Sequence, residues 1–126
     1  MIKILFKYIA FTLLVNSSIF GQTYDSTHFH HNHIIPTFPG GLDSLKSYLV
    51  KKLKYPQTAI NDSIQGTVIV GFFVNSNGEI DDVIILRSVR KDLDEAAMIS
   101  VKAMPKWNKG TIRIPFSLPI VFKLND

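Results

Sequence analysis

Helical spacing of apolar residues predicts the first helix of the chain. Leu42, Leu45, Leu49 and Leu53 recur at intervals of three and four, which places them on one face of a helix. Polar residues occupy most of the remaining positions, so the pattern predicts an amphipathic helix whose leucine stripe lies against a core. Pro56 ends the pattern, because the residue before a proline is disfavoured in helical backbone.

A strand pattern further along the chain predicts a β-hairpin. Residues 66–74 and 79–86 are rich in β-branched and aromatic side chains, and a short polar stretch ending in Asn77-Gly78 separates them. The glycine supplies the positive φ that such a turn requires. Even-numbered positions from Val68 to Val74 are expected on one face of the first strand. Residues 57–65 are expected to form a connector.

A second helix and a last strand complete the predicted fold. Asp92 is expected as the N-cap of the helix, with Glu95 three residues later. Residues 112–124 are strongly β in composition but contain Pro115 and Pro119. Proline cannot donate a ladder hydrogen bond, so this strand is expected at a sheet edge. The order predicts an α+β fold with two layers, in which two helices pack on a small antiparallel sheet of hairpin and C-terminal edge strand.

The beginning of the chain has the order of a secretory signal peptide. Lys3 and Lys7 precede an apolar run over residues 8–15, and polar residues and the small Gly21 follow. The apolar run is short for a membrane span of about 20 residues, and an uncleaved inner-membrane anchor is the alternative. The expected division of the chain is a signal peptide at 1–21, a flexible His-rich lead-in at 22–35 and a folded domain at 36–126.

Composition excludes several classes of protein. The chain has no cysteine, which removes disulfides, thiolate zinc sites and cysteine nucleophiles. Its formal net charge is +4, of which Lys3 and Lys7 contribute two. The one tight basic cluster outside the leader is Lys51, Lys52 and Lys54, which is expected on the solvated face of a helix, so no nucleic-acid partner is predicted.

The four histidines of the chain are the candidate metal ligands. They lie together in the lead-in, at His28, His30, His31 and His33. Imidazole suits Zn, Cu and Ni, and a His-rich tract is able to chelate them. Because no fixed geometry or second motif accompanies the tract, we predict no ordered metal site and no cofactor. A secreted metal-handling accessory stays open as an alternative function.

Catalytic constellations are missing from the sequence. Catalysis requires a nucleophile near a base, a metal or paired carboxylates in a cleft. Asp81 and Asp82 are adjacent on a predicted strand and are expected to point to opposite faces. We therefore predict that the protein is not an enzyme.

A series of short motifs extends from about Ile35 to Leu124. They are Phe38-Pro39-Gly40-Gly41, Tyr55-Pro56-x-x-Ala59, Gly66-Thr67-Val68, Gly78-Glu79-Ile80, Met104-Pro105-x-Trp107 and Leu118-Pro119-Ile120-x-Phe122. In this order they resemble the TonB C-terminal domain family. Each motif is weak by itself, so the resemblance depends on their order and on their coverage of the whole predicted domain.

The resemblance implies a periplasmic module that pairs through an exposed strand with a short extended segment of an outer-membrane transporter. In such strand addition, main-chain hydrogen bonds supply affinity and side-chain pockets supply selectivity. The same exposed edge also permits a homodimer. The C-terminal strand is the expected docking edge, and its candidate partner-binding residues are Ile112, Ile114, Phe116, Leu118, Ile120, Val121 and Phe122.

The short lead-in distinguishes this chain from a full energy transducer as the resemblance describes one, with an anchor and a long proline-rich spacer. About fifteen residues separate the leader from the domain, and fully extended they reach about 50 Å. We therefore expect a free periplasmic module that binds an outer-membrane transporter or a related envelope protein. A membrane-tethered transducer component, working with an inner-membrane motor, is the alternative if the leader is an uncleaved anchor.

Overall fold

The computed structural model describes residues 32–124, so the expected signal peptide and His28, His30 and His31 lie outside the described residues. Within this range no helix is long and apolar enough to cross a membrane. The elements follow the order α1 (Gly41–Lys52), α2 (Gln57–Asn61), β1 (Gly66–Val74), β2 (Ile80–Arg87), α3 (Lys91–Lys102) and β3 (Ile114–Phe122).

The three strands form one antiparallel sheet in the order β2-β1-β3. The β1–β3 pairing runs without interruption from Gly66↔Phe122 to Val74↔Ile114. The β1–β2 pairing, in contrast, shifts register twice. Among the described residues β3 pairs only with β1, so the predicted edge position of the C-terminal strand is confirmed, although the strand is shorter at both ends than the predicted 112–124.

The core lies between one face of the sheet and the helices α1 and α3. Even-numbered side chains of β1 and β3 point into it, as the alternation predicted for β1. The two-layer α+β arrangement is therefore confirmed. The buried residues of this core include Leu45 and Leu49 of α1, Leu93, Ala97 and Val101 of α3, Val68, Val70, Phe72 and Val74 of β1, and Phe116, Leu118, Ile120 and Phe122 of β3.

An aromatic cluster closes one end of the core around Trp107. Its ring centroid lies 5.7 Å from that of Phe38, 6.0 Å from that of Phe72 and 4.9 Å from that of Phe116. Tilted and edge-on arrangements of this kind suit the charge distribution of aromatic rings. The cluster joins the segment before α1 to both β1 and β3.

Three local predictions were wrong. Leu42 is 49% exposed, because the apolar stripe of α1 enters the core only from Leu45 onward. Within the predicted connector, Gln57–Asn61 form α2, which at five residues is too short to show a periodic pattern. The N-cap of α3 is Arg90, and the carboxylate of Asp92 binds that arginine from the first turn of the helix.

Asp92 connects α3 to the region of α2. Its two carboxylate oxygens accept hydrogen bonds from Arg90 Nε and Nη2 at 2.9 and 2.8 Å, and Thr58 Oγ1 donates to the same carboxylate at 2.7 Å. Arg90 Nη1 also donates to Asp62 Oδ2 at 2.7 Å. The hydrogen bonds from Arg90 and then from Thr58 hold the pKa of Asp92 well below its usual range.

The lowered pKa of Asp92 predicts a pH-dependent contribution to stability. A depressed carboxyl pKa stabilises the fold above the unfolded value of about 3.9, and the contribution disappears as pH falls toward the folded value. We expect Asp92→Asn to lower the midpoint of thermal unfolding at pH 7, and the difference from wild type to shrink below about pH 4. Circular dichroism at several pH values checks this, with Asp43→Asn in the exposed first turn of α1 as control. A difference that stays constant with pH would contradict it.

Gly78 in the hairpin turn predicts a second, steric effect. A Cβ at Gly78 would lie 2.0 Å from the Trp107 carbonyl oxygen, whereas a Cβ at Gly41 would meet no heavy atom within 4 Å. Both glycines have positive φ, +86° and +79°, so alanine at either position costs about 1–2 kcal/mol in backbone strain. We expect Gly78→Ala to lower the free energy of unfolding, measured with urea, clearly more than Gly41→Ala. Equal losses would contradict a close approach to Trp107.

Candidate functional site

The outer edge of β3 is the candidate site. One side of this strand is paired with β1, and no strand of the described range 32–124 pairs with the other side. An unpaired edge presents backbone donors and acceptors in a row and is a template for another strand. What the edge offers depends on which residues direct their backbone groups outward.

Two hydrogen bonds next to the strand ends fix this direction. Leu124, just after β3, donates its N–H at 2.8 Å to the side chain of Gln65, the residue before β1. The backbone N–H and C=O groups of the even-numbered residues of β3 therefore point toward β1. Asn75 donates its N–H at 3.0 Å to the Glu79 carbonyl across the hairpin. The backbone groups of odd-numbered residues of β1 therefore point toward β2, and those of even-numbered residues point toward β3. The backbone groups of β3 that face outward therefore belong to Pro115, Ser117, Pro119 and Val121.

Two of these four outward positions are prolines. A proline facing β1 would remove a ladder bond, whereas a proline on the free side loses only a bond to solvent. The edge consequently offers four carbonyl acceptors but N–H donors only at Ser117 and Val121. At about 0.5–1.5 kcal/mol net per hydrogen bond, the two missing donors weaken strand addition by about 1–3 kcal/mol.

The seven residues predicted from the sequence lie on β3 or just before it. Four of them, Phe116, Leu118, Ile120 and Phe122, have buried side chains, and their backbone groups face β1. Ile114 packs against the core, and Ile112 precedes the strand. Val121 alone among the seven combines an outward backbone with a half-buried side chain on the open face of the sheet.

Ser117 and the two prolines were missed as candidate residues. The partner-binding residues were predicted from their apolar side chains, but most of the large apolar side chains of β3 are buried in the core. The spacing of Pro115 and Pro119 carries the missing signal. Both prolines are odd-numbered, so their backbone groups point to the same side of the strand. A sheet tolerates proline only where that side faces away from the neighbouring strand.

The sheet face opposite the helices adjoins this edge and is partly apolar. Ile84 and Leu86 of β2 are 54% and 55% exposed. A Cβ at Gly71 of β1 would lie 2.9 Å from Leu86 Cδ1, so the absence of a side chain there lets Leu86 lie over the strand. A strand added to β3 would extend this face with its own side chains.

Arg113, just before β3, covers one end of the open face. Its guanidinium carbon lies 3.6 Å from the centre of the Phe73 ring, a cation–π contact. Arg113 also pairs with Asp82 at 2.5 Å and with Asp81 at 3.7 Å. The expectation that these two carboxylates point apart was therefore wrong, because Asp82 has a φ of +49° within the irregular pairing of β2 and interrupts the alternation.

Metal ligation receives no support from the described residues. Between residues 32 and 124 no group of three or more His, Asp or Glu side chains is arranged to hold a metal ion. His33 lies in this range and is exposed. The other three histidines lie outside it, so the predicted lack of an ordered metal site stays a prediction.

These features define the class of the protein as a small two-layer α+β domain with one covered sheet face and an open antiparallel edge. The model of the family described as "Gram-negative bacterial TonB protein C-terminal" matches residues 51–124. This match covers more than half of the chain and includes every strand. The chain belongs to the TonB C-terminal family.

Curated relatives and solved structures agree with this assignment. The chain is 28% identical over 87 residues to "Protein TonB" from Helicobacter pylori strain J99 and to its counterpart from strain 26695. These matches cover 68% of this chain but only 31% and 30% of the relatives, so the chain spans about a third of their length.

Solution structures of Helicobacter pylori TonB C-terminal domains share the fold. A longer version superposes with a TM-score of 0.59 at 23% identity and covers 70% of this chain and 88% of that one. A shorter version gives a TM-score of 0.54 at 26% identity, with 67% and 94% covered. The resemblance to this family inferred from the motif series is confirmed.

The spacing of Pro115 and Pro119 predicts that self-association through the outer edge of β3 is weak. Pro119→Val adds an outward N–H donor to β3. We expect dimerisation to strengthen by roughly thirtyfold, because each hydrogen bond contributes about 1 kcal/mol and a symmetric dimer uses the position twice. Sedimentation velocity over a concentration series measures this. Pro105→Val, at an exposed proline outside the sheet, is the matched control. Identical association of both variants would argue against an outward-facing Pro119.

Proposed function

We propose that the protein is a periplasmic protein-binding module of envelope transport and not an enzyme. It engages an outer-membrane transporter, or a related envelope protein, by strand addition at the outer edge of β3. The unpaired β3 edge is the observation that carries this proposal. Membership of the TonB C-terminal family supports it, as does the name "Protein TonB" of the relatives.

The positions of the donors specify the partner segment. Ser117 and Val121 lie four residues apart, which is about 13 Å along a strand. A partner segment therefore needs two carbonyl acceptors at this separation, and N–H groups opposite all four outward carbonyls of β3. A proline at any of those four partner positions would be excluded. Apolar side chains at alternate positions would extend the partly apolar open face next to Val121.

The periplasmic location in this proposal depends on the signal-peptide order of residues 1–21. The chain spans about a third of the length of its curated relatives, and the proposed activity is strand addition at the β3 edge. An anchored form facing the periplasm would place the same edge within reach of an inner-membrane motor. Mass spectrometry of the mature chain distinguishes the two forms, because the anchored form retains Met1–Gly21.

A pair of substitutions at Val121 tests the docking edge. Val121→Pro removes one of the two outward donors, whereas Val121→Thr keeps the N–H and a β-branched side chain. We expect the wild-type chain and Val121→Thr to capture an outer-membrane transporter, identified by mass spectrometry, from native envelope extract. We expect Val121→Pro to lose most of this capture.

Circular dichroism and the thermal midpoint establish that all three proteins are folded. Equal capture by the folded Val121→Pro variant would exclude docking through this edge. Failure of the wild type to capture any transporter would remove the proposed partner class.

A further inference from the structure

The helix α1 lies above β3 on the covered side of the sheet. Tyr55, just after the helix, packs edge-on against Phe122 at one end of β3, with the ring centroids 5.3 Å apart. Toward the other end Phe38, just before the helix, is joined through Trp107 to Phe116. The other long helix, α3, packs against β1 and β2. Of the two long helices, α1 is therefore the one that runs along the outer edge of β3.

One side of α1 faces α3, and the opposite side faces away from it, beyond β3. Tyr48 donates its hydroxyl to the Ser100 carbonyl of α3 at 3.0 Å, and Lys52 lines a shallow recess with residues of α3. At about 100° per residue, Val50 lies about 160° around the helix from both Tyr48 and Lys52. Val50, and Lys46 one turn before it, therefore lie on the side of α1 above the outer edge of β3.

Three side chains on this side form a row that we call the α1 flank, and they are Leu42, Lys46 and Val50. They follow each other at intervals of four residues, about 6 Å along a helix. Leu42 and Val50 are 49% and 54% exposed. Lys46 between them is exposed and forms no ion pair with a carboxylate of residues 32–124. The flank thus offers uncovered apolar surface on both sides of an unpaired positive charge.

A strand added to the outer edge of β3 brings side chains beneath this flank. The added strand lies about 4.8 Å outside β3, and its side chains alternate between the open face and the helix side of the sheet. Residues on the helix side recur about every 7 Å. This spacing is close to that of the flank, so three successive helix-side residues are able to face Leu42, Lys46 and Val50 in turn.

We propose that the α1 flank is the second wall of the docking groove and selects an extended partner segment by its side chains. The segment carries an acidic side chain between two apolar ones at alternate positions, so that the carboxylate meets Lys46. This assignment rests on the proposed function, because a strand on β3 is what places side chains there. A second copy of the chain paired through β3 does not fit, because Ile114–Phe122 contains no acidic residue.

Charge reversal at Lys46 tests the flank, with charge reversal at Lys51 as the matched control. Both lysines are exposed on α1, but they lie about 140° apart around the helix. We expect Lys46→Glu to lower capture of the outer-membrane transporter from native envelope extract roughly three- to tenfold, because an ion pair becomes a repulsion. We expect Lys51→Glu to stay within roughly twofold of wild type. The loss in Lys46→Glu shrinks at about 1 M salt, where the Debye length is about 3 Å.

Serine at Val50 tests the apolar part of the flank, with serine at Ile99 of α3 as control. Both side chains are largely exposed, at 54% and 67%, but Ile99 belongs to the helix that packs against β1 and β2. We expect Val50→Ser to lower capture roughly threefold, because an apolar contact with the partner is lost. We expect Ile99→Ser to capture as well as wild type. Circular dichroism and the thermal midpoint establish that the variants are folded.

Capture by Val121→Pro in the same extract separates this inference from the proposed function. Loss of capture in Val121→Pro, with both flank variants equal to their controls, would overturn the flank and leave docking at the β3 edge intact. A loss confined to one flank variant would overturn the pattern of an acidic between two apolar side chains. Losses in both flank variants but not in Val121→Pro would overturn a groove shared by α1 and β3. A wild-type chain that captures no transporter would overturn both proposals.

Discussion

The uninterrupted antiparallel pairing of β1 with β3 is the constraint on which the other features depend. Because every residue from Gly66 to Val74 has a partner in β3 without a shift, a single choice of register sets the direction of every side chain and backbone group of β3. A slip by one residue would turn Phe116, Leu118 and Ile120 out of the core and direct two prolines into the ladder. Core packing and the donors of the free edge are therefore fixed together.

The β1–β2 pairing tolerates irregularity that the β1–β3 pairing does not. Its two register shifts lie between Ile69 and Val70 and between Gly71 and Phe73 of β1, and both concern the pairing with β2, the strand farther from the proposed docking edge. The side chains of Ile84 and Leu86 remain largely exposed, so a local change in alternation there removes little from the core. In β3 the same change would expose large buried side chains, each worth about 1.5–3 kcal/mol.

The sequence was sufficient for the fold because its strongest signals are long and periodic. Alternation over β1 and the leucine spacing of α1 each extend over several turns or residue pairs, and Pro115 and Pro119 correctly indicated an edge strand. Shorter features gave no such signal. Five residues cannot show a helical period in α2, and the role of Asp92 depends on Arg90 and on Thr58, which is distant in sequence.

The candidate site could be predicted at the level of the strand but not of the individual residue. Choosing apolar residues of β3 selected the side chains that the core requires, since apolar character reports burial and not the direction of a backbone N–H. The shared odd numbering of the two prolines does indicate which backbone groups point outward, once the pairing with β1 is known. Ser117, a small polar residue between two prolines, is unremarkable in the sequence and becomes a donor site only in this register.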